Sequence, residues 1–163
     1  MSVLDVLLIA IVLISIVTDL YRRRIYNVVL FPAIIFAIVY RCVTGGLAGA
    51  IDGLTGLVVG MALLIIPYFN GGVGAGDVKL LGAIGACGGP MFVLYTFLAG
   101  AVMGGVASCY LLLRDGRLWT ALKGACLSLI LPGSAGVWLG ESCLKFPYGV
   151  MFCLGVFVAF WLR

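Results

Sequence analysis

Runs of apolar residues, each about long enough to cross a bilayer and each ended by glycine or charge, leave this chain few ways to fold. A spanning helix needs about 20 mostly apolar residues at 1.5 Å rise each, and fewer where flanking side chains snorkel or the bilayer thins. The first run covers Val3 to Thr18 and stops at Asp19, with Arg22, Arg23 and Arg24 just beyond. A cleaved signal peptide carries its positive charges before the apolar run, so the reversed order here predicts a retained helix. Composition agrees: 64% of the 163 residues are apolar and 10% are charged, whereas soluble domains run about 45 to 50% apolar and about 25% charged. The expected class is an all-α, polytopic integral membrane protein, one domain over residues 1–163.

Topology follows from the charges. The second run, Val28 to Val43, ends near Arg41 and the Gly45-Gly46 turn, and the third, Leu47 to Phe69, runs into Asn70-Gly-Gly-Val-Gly-Ala-Gly-Asp77. Val78 to Leu113 is too long for one crossing, and the Gly88-Gly89-Pro90 break divides it into a short helix outward and a longer one back. The positive-inside rule puts Arg22 to Arg24 in the cytoplasm, and the next basic loop, with Arg114, Arg117 and Lys123, then falls on the same side. Leu118 to Leu139, interrupted at Pro132-Gly133-Ser134, reads as an interfacial or re-entrant helix, and Pro147 to Leu162 as the last helix. About six crossings are expected, with the N-terminus outside and Asp19, Asp77 and Lys79 at the cytoplasmic edge.

The residue inventory narrows the chemistry. There is no histidine, which excludes a Ser-His-Asp triad, a Cys-His pair and the two-histidine zinc helix. The six cysteines, Cys42, Cys87, Cys109, Cys126, Cys143 and Cys153, form no CxxC pair and read as small buried packing residues. No metal site and no cofactor is expected. The net charge of +4 needs no nucleic acid to explain it, since basic loops are what topology demands; membrane lipid is the expected surrounding partner.

That leaves six acids, Asp5, Asp19, Asp52, Asp77, Asp115 and Glu141. An acid at helix depth costs about 2.5 to 3.5 kcal/mol on insertion scales, so its presence near hydrocarbon points to function. Gly74 and Gly76, with Gly71 and Gly72, remove side chains around Asp77 and leave room for an extended peptide beside its carboxylate. Two carboxylates brought together cannot both ionise cheaply, so one keeps a proton while the other acts as a base. Asp19 and Asp77 have plainer roles open to them as well: Asp77 as the N-cap of the helix that follows, Asp19 as a snorkelled surface acid paired with an arginine. Asp52 falls near the outer end of the third run, too far to join them. Lys79 either tunes the charge of Asp77 or faces lipid headgroups, and Gly100, Gly104 and Gly105 read as sites of close helix packing.

Gly74-Ala75-Gly76-Asp77-Val78-Lys79-Leu80-Leu81 resembles the GxGD signature of the type IV prepilin peptidases, and Asp19-Leu-Tyr-Arg-Arg-Arg-Ile-Tyr-Asn27 resembles their first-aspartate segment, with Tyr26 where proline is usual. Phe146-Pro147-Tyr148-Gly149 is similar to the family's Pro-Phe-Gly element, with Tyr148 in place of Phe. The resemblance implies that Asp19 and Asp77 are the catalytic pair of a membrane aspartic endopeptidase. It also implies that Gly74, Gly76, Lys79 and Asn27 bind substrate or support the site. The implied partners are prepilins or pseudopilins, cut at the cytoplasmic face of the bacterial inner membrane just before their hydrophobic helix. Longer members carry a zinc-binding cytoplasmic insertion and methylate the new N-terminus; this chain, without that insertion or a CxxC, resembles the minimal class of tight-adherence (Flp) pilus systems. Two other classes compete with this reading. A small proton- or cation-coupled transporter using the same two aspartates predicts acids near the bilayer midplane on broken helices, and a purely structural secretion-system protein leaves the GxGD loop unexplained.

Overall fold

A computed structural model describes residues 2–22, 27–69, 73–114 and 148–162. Five helices make up these residues: α1 (Val3–Arg22), α2 (Asn27–Phe69), α3 (Ala75–Gly88), α4 (Pro90–Arg114) and α5 (Tyr148–Leu162), with no strand among the described residues. The stretch Leu118 to Leu139, the Pro132 break, Arg23, Arg24, Gly71, Gly72, Asp115, Glu141, Cys126, Cys143 and Phe146-Pro147 lie outside them.

The long helix α2 is two helices joined at Gly46, whose backbone (φ 61, ψ −152) has left the helical region. Only glycine adopts this conformation without strain. The chain folds back there. Residues eight apart on a straight helix are about 12 Å apart, yet a Cβ on Gly49 would collide with the carbonyl oxygen of Arg41. Arg41 likewise forms an ion pair with Asp52 across the turn. The hairpin divides α2 into arms of about 28 and 35 Å, each close to the hydrocarbon thickness.

At the other sequence break, α3 ends on Gly88, Gly89 turns with φ 90, and Pro90 opens α4. Proline suits the first helical position because the missing N–H has no helical partner there. Helix α3 is the centre of the bundle: Val78 and every residue from Leu80 to Cys87 is buried. It packs chiefly on α2, with α1, α4 and α5 covering the rest, while α5 lies along α4 and touches α1.

Close backbone approach holds the two main interfaces together. A Cβ on Gly56 would overlap the carbonyl of Gly85, and one on Gly60 would lie 2.5 Å from the Leu81 carbonyl oxygen. Between α4 and α5, a Cβ on Gly155 would lie 2.5 Å from the Thr96 carbonyl oxygen, and one on Gly100 would lie 2.8 Å from the Phe152 ring. In lipid the helices gain no hydrophobic drive to associate, so such contacts supply much of the packing. Of the other glycines expected to pack closely, Gly104 makes only ordinary contact with Met151. Gly105 meets nothing within 4 Å, so that expectation is corrected: its side of α4 faces outward.

The outside of the bundle is apolar. Val43 is 80% exposed, Ile66 71% and Val102 66%, in a broad belt of large hydrophobic side chains. Two helices, Val29–Phe69 and Pro90–Tyr110, are long and apolar enough to cross a membrane, and only 22% and 28% of their most apolar windows are buried. A core helix of a soluble protein would be buried over most of its length. Cys87 and Cys153 are buried as expected, and Cys153 donates to the Val12 carbonyl at 3.7 Å. Cys42 and Cys109 are exposed, which corrects the expectation for those two. On an outward apolar face a thiol is a small hydrophobe with lipid for a neighbour.

Candidate active site

Asp77 sits in the first turn of α3, whose cap differs from the one the sequence offered. Gly74 occupies the N-cap in an extended conformation (φ −77, ψ 150) and makes no side-chain cap bond. Its carbonyl accepts from the backbone N–H of Asp77 at 3.1 Å and of Val78 at 3.4 Å. The helix therefore starts at Ala75, and Asp77 is its third residue, free of the N-cap role because the backbone of Gly74 already fills it. The half-buried carboxylate folds back over Gly74, with Oδ2 3.4 Å from where a Cβ on that glycine would lie. Glycine at position 74 sets no side chain of its own against the carboxylate.

The carboxylate is recessed. Gly56 lies opposite Gly85 and Gly60 opposite Leu81, so the second arm of α2 runs antiparallel to α3 and continuing the register brings Leu64 beside Asp77 and Val78. Phe69 ends that arm five residues later, about 7 Å beyond the level of Asp77.

Lys79 lies on a different side. Residues two apart do not share a helix face, and the Lys79 ammonium stands 5.3 Å from the centre of the Phe31 ring, in the first turns of α2. This cation–π contact ties the start of α3 to the first arm of α2. Phe31 was not singled out from the sequence; an aromatic residue one turn past Asn27 was the available signal.

Asp19 lies in the last turn of α1 and Asn27 is the first residue of α2. Four residues separate the two helices, a reach of at most about 18 Å, and Phe31 beside Lys79 fixes the start of α2 at the Asp77 end of α3. The ends of α1, α2 and α3 that carry Asp19, Asn27, Gly74, Gly76, Asp77 and Lys79 therefore gather at one end of the bundle. Asp52 lies at the opposite end, paired with Arg41.

The sequence profile of the type IV leader peptidase family matches residues 6–109. The chain belongs to the type IV leader peptidase family. The matched span covers most of the bundle and includes both Asp19 and Asp77, whereas the Pro147-Tyr148-Gly149 element lies beyond it. Membership makes the chain a leader-peptidase-type aspartic protease, a hydrolase of membrane character. No curated protein and no solved structure matches it.

Proposed function

We propose that this member of the family is an integral-membrane aspartic endopeptidase that removes the leader from type IV prepilins or prepilin-like proteins, with Asp19 and Asp77 as its catalytic pair. The observation that carries the reading is the recessed carboxylate of Asp77, folded over a side-chain-free residue at the end of the bundle where the Asp19 turn of α1 also lies. The transporter alternative calls for acids near the midplane, a poor match for two acids at one end.

The chemistry needs one carboxylate ionised and one protonated. The ionised member takes a proton from water as the water oxygen attacks the scissile carbonyl carbon, and the protonated member donates to the carbonyl oxygen. Collapse of the tetrahedral intermediate breaks the C–N bond, the leaving nitrogen takes the proton that the first carboxyl gained, a hydroxyl of the intermediate returns its proton to the second carboxylate, and the pair is back to one shared proton. Without a side chain at Gly74, an extended backbone can approach the acid from that side. A recessed position suits a scissile bond next to a substrate's membrane-embedded helix. Reading the arginines after Asp19 by the positive-inside rule puts this end in the cytoplasm and the N-terminus outside; the apolar runs count about six crossings, and the resemblance to prepilin peptidases implies the bacterial inner membrane.

Coexpression with candidate prepilins, with leader removal followed by gel shift, tests the reading. Wild type should process the substrate, and Asp19→Asn and Asp77→Asn, at matched membrane levels, should not. Normal processing by either variant would sink the pair. Failure of wild type on every prepilin, with ion flux in its place, would favour the transporter.

A further inference from the structure

At the end of the bundle away from Asp77, one arginine joins three pieces of chain. Arg41, in the first arm of α2, pairs with Asp52 in the second arm and donates from Nη2 to the Cys87 carbonyl oxygen at 2.8 Å. Cys87 is in the last turn of α3, where carbonyls lack helical donors and a cation is favoured by the helix dipole. Asp52 also closes on the turn into α4: a Cβ on Gly89 would lie 2.9 Å from its Oδ2.

Most of the close contact between this clamp and Asp77 is backbone. Gly56 and Gly60 on α2 meet the carbonyls of Gly85 and Leu81 on α3, Gly53 lies against the Arg41 side chain with the Ala86 carbonyl behind it, and the flexible Met61 side chain packs on Gly82. Such a surface sets the distance between helices but resists sliding poorly. Moving α3 by about one turn, roughly 5 Å, would put Gly85 opposite Gly60, or opposite Gly53, whose space the Arg41 side chain fills. A polar contact made in one register alone removes that degeneracy. A helix of fourteen residues transmits any axial shift at Cys87 to Asp77 at its other end.

We infer that Arg41 is a positioning residue of the peptidase: by holding the Cys87 carbonyl and Asp52 together it fixes the register of α3 on α2, and so the depth of Asp77 in the catalytic end. The inference rests on the proposed peptidase reading for its kinetic consequence, though not for its structural one.

The test uses the full-length protein in membranes and two readouts. In a background with the native cysteines replaced, Phe31→Cys with Lys79→Cys reports register by cross-linking with a short bifunctional thiol reagent that spans the space left by the two long side chains, against the lipid-facing control pair Ile35→Cys with Val102→Cys. Adding Arg41→Gln should bring the cross-link yield down toward the control, and Arg41→Lys should recover part of it. On the chain with its native residues at 31 and 79, Arg41→Gln should lower kcat for leader cleavage by about 100-fold, the cost of a misplacement on the ångström scale, with KM little changed. Asp52→Asn, which leaves the bond to Cys87, should lie between wild type and Arg41→Gln in both readouts, and it decides the matter if Arg41→Gln fails to insert. A wild-type cross-link yield in the variants would overturn the inference, whether or not kcat falls. Absence of cleavage by the wild type would contradict the peptidase reading alone, since the cross-link comparison still decides the register.

Discussion

Replacing Gly56 with alanine tests whether backbone contact between α2 and α3 sets the position of the site. The new Cβ would overlap the Gly85 carbonyl oxygen and lie 2.8 Å from the Gly85 carbonyl carbon and 3.0 Å from that of Gly89. Carbon atoms rest at about 3.5 to 4.0 Å, so the helices must part by roughly 1 Å. The obstructing atoms are backbone on both sides and no rotamer relieves them, which puts the cost at the upper end of overpacking, about 3 kcal/mol. Alanine is the better helix former by about 1 kcal/mol, leaving a net loss of about 2 kcal/mol. The same displacement at α3 moves Asp77 relative to substrate, and a shift of about 1 Å costs on the order of 100-fold in rate. Gly105→Ala is the control, because nothing lies within 4 Å of its Cβ and only the propensity gain applies. Unfolding of the purified protein in detergent, followed by helical circular dichroism, measures the first effect, and initial rates of leader cleavage measure the second. If Gly56→Ala matches Gly105→Ala in both, the close approach has no bearing on stability or on the site.

Three further changes probe other parts of the account. Gly46→Ala should destabilise the protein by about 2 kcal/mol although its Cβ would touch nothing, because the turn conformation is strained for any other residue; Gly45→Ala, in equally open space, is the comparison in the same unfolding assay. Asp77→Asn should abolish cleavage yet lower stability by no more than about 1 kcal/mol, the worth of a charge in the first turn of a helix, since Gly74 and not Asp77 is the cap; a larger loss measured by unfolding would mark the residue as structural. Phe31→Leu keeps an apolar side chain but loses the ring under Lys79, and should cost about 1 kcal/mol, read as the difference between its effect with Lys79 present and with Lys79→Met.

The sequence carried the helical architecture well because lipid permits few alternatives: spanning segments must satisfy their own backbone, so apolar length and glycine or proline breaks mark the helices almost directly. The turn at Gly46 and the Gly88-Gly89-Pro90 break both fall where the pattern places them. The start of α3 was harder to read. Asp77 is the better N-cap by side chain, but the helix already begins after Gly74, whose carbonyl accepts from the N–H groups of Asp77 and Val78, and residue preferences do not encode that competition. Gly100 and Gly105 look alike in sequence, and only the rotation of α4 against α5 decides that one is pressed against Phe152 and the other faces outward. Cys42 and Cys109 misled for a related reason: in a membrane protein an apolar neighbourhood in sequence does not imply burial inside the chain. Arg41 and Asp52 left a faint trace, two opposite charges flanking a glycine pair in a chain with few charges. The sequence offers Asp19 and Asp77 as a candidate pair by motif, and a one-dimensional pattern carries no distance between them.

The central claim, that Asp19 and Asp77 act together as one acid–base unit, is tested most directly by single-turnover cleavage of a purified prepilin by the purified protein, comparing Asp19→Asn, Asp77→Asn and the double variant. Groups that act as a unit are strongly non-additive, so each single change should remove essentially all cleavage above background and the double change should remove no more. Cleavage near the wild-type rate by either single variant, or losses that multiply in the double variant, would contradict it.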